Sequence, residues 1–285
     1  MNYCVTSKII TSRPDGTNPS FADTLAFAKA AGFSELDYCF QPPELLTDRW
    51  KTVFEDNLAK AHASGVRLRF AHMPYHYPTE KTAYGEKEFF LASCRAMELA
   101  ARAGVDCAAI HPRCSVTREY DAEKEMEKMY AFLVPYRDEA KKAGLSLALE
   151  NMRGPGKSAD PALRRFGMDV HEIISLADRL EIGICWDTGH GNISGQPQRA
   201  SLLAIGKRLR MVHLNDNHDE DDIHLAPFLG TIDWKETMAA LAEIGYQNSL
   251  NLEVQTTRVP EALRASYAAY MGKAVRELEK LYLGK

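Results

Sequence analysis

The sequence lacks any apolar run approaching the roughly 18 residues that a membrane-spanning helix needs. Its first residues, MNYCVTSKII, have no basic stretch followed by an apolar core. Neither a membrane partner nor a secretory signal is therefore expected. Cysteine is sparse and unpatterned: Cys4, Cys39, Cys94, Cys107, Cys114 and Cys185 contain no Cys-x-x-Cys pair, and they read as reduced thiols of a cytoplasmic protein. Positive charge is not in excess either. Against 39 Asp and Glu stand 35 Lys and Arg, a net charge of -4. Proteins that track a nucleic-acid backbone usually carry a basic footprint, so nucleic acid is not the expected partner. No linker or low-complexity tract divides the chain, and residues 1–285 read as one domain.

What is present is a recurring unit: an Ala/Leu-rich helix, a Gly, then a short apolar run ending in polar residues. It appears as LAFAKAAGFSELDYCF, LAKAHASGVRLRFAH, ELAARAGVDCAAIHP and EAKKAGLSLALEN, and in looser form as SLADRLEIGICWDTG, IGKRLRMVHLND and LAEIGYQNSLNLEV. Gly32, Gly65, Gly104, Gly144 and Gly245 fall just past a last helical turn, where a left-handed φ is cheapest for Gly. The apolar runs suit strands covered on both faces of a parallel sheet. Strands are expected near 3–7, 35–40, 67–72, 106–111, 145–150, 182–187, 209–214 and 249–254, with a last outer helix from Pro260 to Leu283 that packs through Leu263, Tyr267, Tyr270, Ala274, Leu278 and Leu281. Eight such units predict an α/β fold, a single (β/α)8 TIM barrel. A doubly wound dinucleotide-binding sheet would place a Gly-rich loop after its first strand, and SKIITSRPDGTNP is not one.

Barrel chemistry gathers at the C-terminal ends of the strands. Six successive strand ends carry a potential metal ligand: His72, His111, Glu150, Asp187, His213 and Glu253. About one residue in five is Asp, Glu, His or Cys, so six in a row is a coincidence of roughly a few in a thousand on the barrel reading. Singly, each has a plainer reading: His72 or His111 as a core histidine, Glu150 or Glu253 as the buried partner of an Arg. Together, Glu150, Asp187, His213 and Glu253 give one metal four mostly hard ligands, suited to Mn, Zn, Co or Mg. Cys185, two residues before Asp187, belongs one layer deeper, in the core. His190 follows Asp187 in a tight Asp-Thr-Gly-His, and Asp-Ile-His sets Asp222 and His224 on one side of an extended segment. Asp216, Asp219, Glu220 and Asp221 read as a solvated acidic loop, and His62, His76, His171 and His218 as surface or packing histidines.

These motifs, above all LENMRG, WDTGH, HLNDN and DIHLAPFLGTIDW, resemble the xylose isomerase-like TIM barrels, which include sugar phosphate isomerases/epimerases and endonuclease IV-type AP endonucleases. In the epimerase branch the resemblance implies one divalent metal on Glu150, Asp187, His213 and Glu253, with His190 touching substrate. In the endonuclease branch it implies that His72, His111, His190, Asp222 and His224 are ligands as well; Glu150 would then bridge two metals, and His190, Asp222 and His224 would hold a third. The branch-typical Pro-Gly-x-Gly is here Pro227-Phe228-Leu229-Gly230, and clustered Arg/Lys interleaved with aromatics is lacking.

The expected function is therefore a divalent-metal-dependent isomerase or epimerase of a sugar or sugar phosphate. Glu150 and Glu253 would exchange the carbon-bound proton, with His190, His72 and His111 around the substrate. Arg153, Lys157, Arg164 and Arg165 could clamp an anion, and Phe228 could wall the site, whereas Trp186 is expected in the core. One metal per chain is expected, with two or three as the alternative. A multi-zinc phosphoesterase and a metal-bearing sugar-binding protein without turnover are the rival readings, and a homo-oligomer is compatible with the sequence.

Overall fold

The computed structural model describes residues 1–10 and 16–285. The segment SKIITSRPDGTNP, expected not to form a phosphate loop, falls partly at 11–15, outside the described residues. Eight parallel strands are observed: β1 Tyr3–Thr6, β2 Glu35–Cys39, β3 Arg67–His72, β4 Cys107–Ile110, β5 Leu147–Glu150, β6 Gly183–Asp187, β7 Leu209–His213 and β8 Leu250–Leu252. They pair in the order β7-β6-β5-β4-β3-β2-β1-β8. Leu214 N donates to Asn251 O at 2.8 Å and Glu253 N to Leu214 O at 3.1 Å, which brings β7 against β8 and closes the sheet. The fold is a (β/α)8 TIM barrel, as the repeat predicts.

Around the barrel run α1 Phe21–Ala31, α2 Pro42–Leu45, α3 Trp50–Ala63, α4 Glu86–Arg102, α5 Ala122–Ala143, α6 Val170–Leu180, α7 Thr188–Ile193, α8 Gln198–Ile205, α9 Trp234–Glu243 and α10 Arg264–Tyr282. The five glycines expected at helix ends have φ between 69° and 87°, the left-handed cap that only Gly adopts without strain. In the less regular sixth unit Glu181 takes this position, at φ 56°. The barrel interior is a small cluster of Cys4, Phe70, Cys107, Ala109, Ala148, Cys185 and Met211. Cys185 is thus core, and all six cysteines are unpaired.

The last helix departs from expectation at its start. Glu261–Leu263 form a 3-10 turn, which rotates Leu263 off the packing face and leaves it 55% exposed. Ala268, Met271, Ala274, Val275 and Leu278 are the buried face instead, with Tyr267, Tyr270 and Leu281 at its edges. Among the described residues no helix is long and apolar enough to cross a membrane.

Candidate metal centre

Parallel strands bring their last residues to one end of the barrel. Glu150, Asp187 and His213 end β5, β6 and β7, and Glu253 follows β8 by one residue. One ligand atom from each of these four lies within 4.8 Å of the others. His213 Nδ1 is 3.2 Å from Glu150 Oε2 and 3.3 Å from Glu253 Oε2. Glu150, Asp187 and His213 are buried, while the Glu253 side chain keeps 17% of its surface exposed, so Glu253 faces the direction from which a ligand can approach.

His72 and His111 approach the same oxygen. His72 Nε2 lies 3.4 Å and His111 Nε2 3.2 Å from Glu150 Oε2, and His72, Glu150 and His213 form a second ligand-competent group. Glu150 Oε2, His111 Nε2 and His213 Nδ1 are buried without a hydrogen-bond partner. Buried polar atoms are rarely left so, and a cation between them would satisfy all three. The residues present therefore fit a divalent ion. The plainer reading of Glu150 and Glu253 as arginine partners does not hold: the side-chain ion-pair partners seen for both are imidazoles.

Asp187 is held from three sides. Its Oδ1 accepts from His190 N at 2.6 Å, as the N-cap of α7, and its Oδ2 accepts from Asn215 Nδ2 at 2.7 Å. Asn151 accepts from Asp187 N at 2.6 Å and donates to Asp187 O at 3.0 Å. A Cβ on Gly189 would lie 1.9 Å from Asn215 Oδ1, so the Asp-Thr-Gly-His turn admits only Gly there. This turn returns His190 to the mouth, with Nδ1 2.8 Å from Asn151 O and Nε2 3.3 Å from Asp222 Oδ2. Asp222 Oδ1 is 3.2 Å from His224 Nε2, and His224 Nδ1 donates to Glu253 O at 2.7 Å. Asp222 and His224 do meet, but through a left-handed backbone at His224 (φ 44°) and not through an extended segment.

Charge and burial compete throughout the centre. Burial pushes the Asp187 carboxyl up to about 7, aided by Glu253 and Glu150 and opposed by His190. Burial would neutralise His190 and His224, yet the carboxylates around them raise both to about 10. Burial also opposes ionisation of Glu253, but His213 and His224 draw it down to about 2. Glu150 is likewise held well below its ordinary value, by His213 and His111 against its burial. His111 is lowered by burial.

Several expected roles fall elsewhere. Asp216 is not solvated. It is fully buried and accepts from Phe228 N, Ile232 N and Trp234 Nε1 at 2.8 to 3.2 Å, because the loop after β7 folds back over it. Asp219 pairs with Lys157, and Glu220 accepts from Ser158. The four basic loop residues form no clamp: Arg164 donates to Pro161 O and Leu163 O, Arg165 to Cys114 Sγ, and only Arg153 reaches the centre, 3.8 Å from Asp222. Phe228 sits at φ 72° in the slot of the missing Gly, its ring on Trp234 and 40% exposed. Trp186 is core, donating to Gln198 at 2.8 Å. His62, His171 and His218 are exposed, and His76 lines a cavity of about 500 Å³ with Lys8, Gln41, Asn57, Tyr75 and Gln255. The Tyr75 ring packs on His72 and His111, so this cavity adjoins the centre. A larger cavity, about 680 Å³, lies at the opposite end of the barrel and includes none of the candidate ligands.

Asp37, Asn151, Asn215, Tyr75 and Asn251 also touch the centre, and the strand-end pattern does not single them out. Asn151 and Asn215 stand one and two residues beyond a ligand, in LEN and HLN, and Tyr75 closes HMPY. For Asn151, Asn215 and Tyr75 this adjacency is the signal in the sequence; Asp37 has none.

The architecture and site define a class. The family profile described as "Xylose isomerase-like TIM barrel" matches residues 25–276, and the chain belongs to that family. Among curated proteins it is similar to the inosose isomerase of Bacillus subtilis (strain 168), 25% identical over 146 residues that cover 49% of this chain and 51% of that one. The chain spans between a quarter and about half of the length of the curated relatives it matches. Among solved structures it is similar to a D-tagatose 3-epimerase-like protein (TM-score 0.71, 17% identity, covering 100% of this chain and 99% of that one). It is also similar to an IOLI protein with a bound zinc atom (TM-score 0.70, 16% identity, 100% and 99%).

Proposed function

We propose that this protein is a divalent-metal-dependent isomerase or epimerase of a small sugar or polyol ketone. The observation that carries the reading is the convergence of Glu150, Asp187, His213 and Glu253 within 4.8 Å, with Glu150 Oε2 and His213 Nδ1 buried and without a hydrogen bond. Three carboxylates and one imidazole suit Mn, Co, Zn or Mg. Support comes from relatives described as inosose isomerase and D-tagatose 3-epimerase-like.

When bound, the ion would supply Lewis-acid stabilisation of the charge that develops on the substrate's carbonyl and neighbouring hydroxyl oxygens. Glu253, ionised and partly exposed, takes the carbon-bound proton from one side. Glu150, across His213 Nδ1 from it and itself held ionised, takes up a proton from solvent and delivers it to the carbon from the other side, while Glu253 gives up its proton to solvent, so that both carboxylates end as they began. His190, held by Asn151 O and Asp222, orients a hydroxyl, and His72 and His111 bound the far wall. Among the four basic loop residues Arg153 alone is tied to the centre, which favours an uncharged sugar over its phosphate.

The test is product analysis after incubation of metal-loaded protein with a panel of ketoses, inososes and their phosphates. An epimer or isomer formed by wild type and lost in both Glu150→Gln and Glu253→Gln is the expected outcome. Substantial turnover by either variant contradicts the assignment. The phosphoesterase reading draws on the second group, His72, Glu150 and His213, and predicts hydrolysis of a phosphoester with two or three zinc ions per chain.

A further inference from the structure

Asp37 is the third residue of β2, 1% exposed, on the barrel wall across from the candidate ligands. A carboxylate in such a place is costly unless charge or hydrogen bonds answer it. Both of its hydrogen bonds fall on one oxygen: Oδ2 lies 3.1 Å from His213 Nε2 and accepts from Asn251 Nδ2 at 2.9 Å. Oδ1 has no partner. The contact crosses the lumen, since β1 and β8 separate β2 from β7 in the sheet.

The two nitrogens of His213 thus face different chemistry. Nε2 meets an acceptor, whereas Nδ1 points between Glu150 and Glu253 and makes no hydrogen bond. A carboxylate beside one imidazole nitrogen holds the ring proton there and leaves the lone pair on the other. Asn251, two residues before Glu253 on β8, fixes the carboxylate from the strand that also presents Glu253.

We infer that Asp37 is a positioning residue of the metal centre: clamped by Asn251, it fixes the proton of His213 on Nε2 and so turns Nδ1 toward the ion. This rests on the reading of His213 as a ligand. Asp37→Asn is the discriminating variant. The shape is kept and the charge is lost, and it is the charge that holds the ring proton on Nε2 more firmly than a neutral amide does and makes Nδ1 the stronger donor to the ion.

The experiment uses the full-length protein stripped of metal. Cobalt(II) affinity is measured by competition with a chromophoric chelator, together with the visible absorption of the bound ion and the melting temperature of the metal-free form. Wild type should bind cobalt. Asp37→Asn should bind it about 10–100-fold more weakly, with a shifted visible band and a metal-free melting temperature close to wild type. Equal affinity and an unchanged band would overturn the positioning role while leaving the ligand reading intact. Failure of wild type itself to bind would overturn the ligand reading, and this inference with it. Should Asp37→Asn not fold, Asn251→Ala loosens the same carboxylate from the other side. A several-fold loss of cobalt affinity supports the role, and an unchanged affinity overturns it.

Discussion

Asn151 grips Asp187 in both directions: its side-chain oxygen accepts from Asp187 N at 2.6 Å, and its amide nitrogen donates to Asp187 O at 3.0 Å. The first residue beyond β5 thereby sets the end of β6, and with it the approach of Asp187 to Glu150. Replacing Asn151 by Ala would leave the buried N–H of Asp187 unmatched and remove the second bond to its carbonyl. We expect Asn151→Ala to lose about 1–3 kcal/mol of stability, read by urea denaturation, and to weaken metal binding as Asp187 drifts. A variant as stable as wild type would contradict this.

The Asp-Thr-Gly-His turn offers a second prediction. With Asn215 Oδ1 1.9 Å from where a Cβ would sit on Gly189, Gly189→Ala must displace Asn215 or the turn. Overpacking of this kind costs about 1–3 kcal/mol. Because Asn215 also donates to Asp187 Oδ2, turnover should fall at least tenfold while the circular dichroism spectrum stays helical. Full activity in Gly189→Ala would show that the turn does not hold the centre.

Stability of the metal-free protein should depend on pH in a direction that the centre dictates. His190 and His224 have folded values of about 10, above the ordinary 6.5, and Asp187 has one of about 7, above the ordinary 3.8. In each case the folded state binds its proton more tightly than the unfolded chain. Their contribution is complete below the ordinary value and is lost as pH rises through the folded one. Denaturation midpoints of metal-free protein should therefore fall between about pH 6.5 and 10, and added metal should reverse the trend, because ligands must be deprotonated to bind. A midpoint that rises across that interval without metal would contradict the assignment.

Elemental analysis of protein purified without chelator should give about one divalent ion per chain. Two or three zinc ions would bring His72, His111, Asp222 and His224 in as ligands and favour the phosphoesterase reading.

Most of the frame was legible in sequence because of two regularities. Strands covered on both faces read as uninterrupted apolar runs, and a Gly closes most of the preceding helices at a left-handed φ. The candidate ligands were legible because parallel strands put their last residues at one end. What stayed hidden depends on contacts across the barrel. Asp37 reads locally as one acid in ELDYC, and nothing in that segment says that β7 lies opposite. Asp216 sits in a run of acids that looks solvated, yet the returning segment from Phe228 to Trp234 buries it. Leu263 keeps the helical spacing of its neighbours, but the 3-10 turn after Pro260 breaks the phase before α10 begins.

The most direct test of carboxylate-mediated proton transfer is deuterium uptake from solvent. Metal-loaded protein is incubated in D2O with its best ketose substrate, and the carbon beside the carbonyl is followed by NMR. Uptake of deuterium at that carbon is expected, stopped by chelator and by Glu253→Gln. Conversion of the substrate without any deuterium uptake, or uptake that survives loss of Glu253, would contradict it.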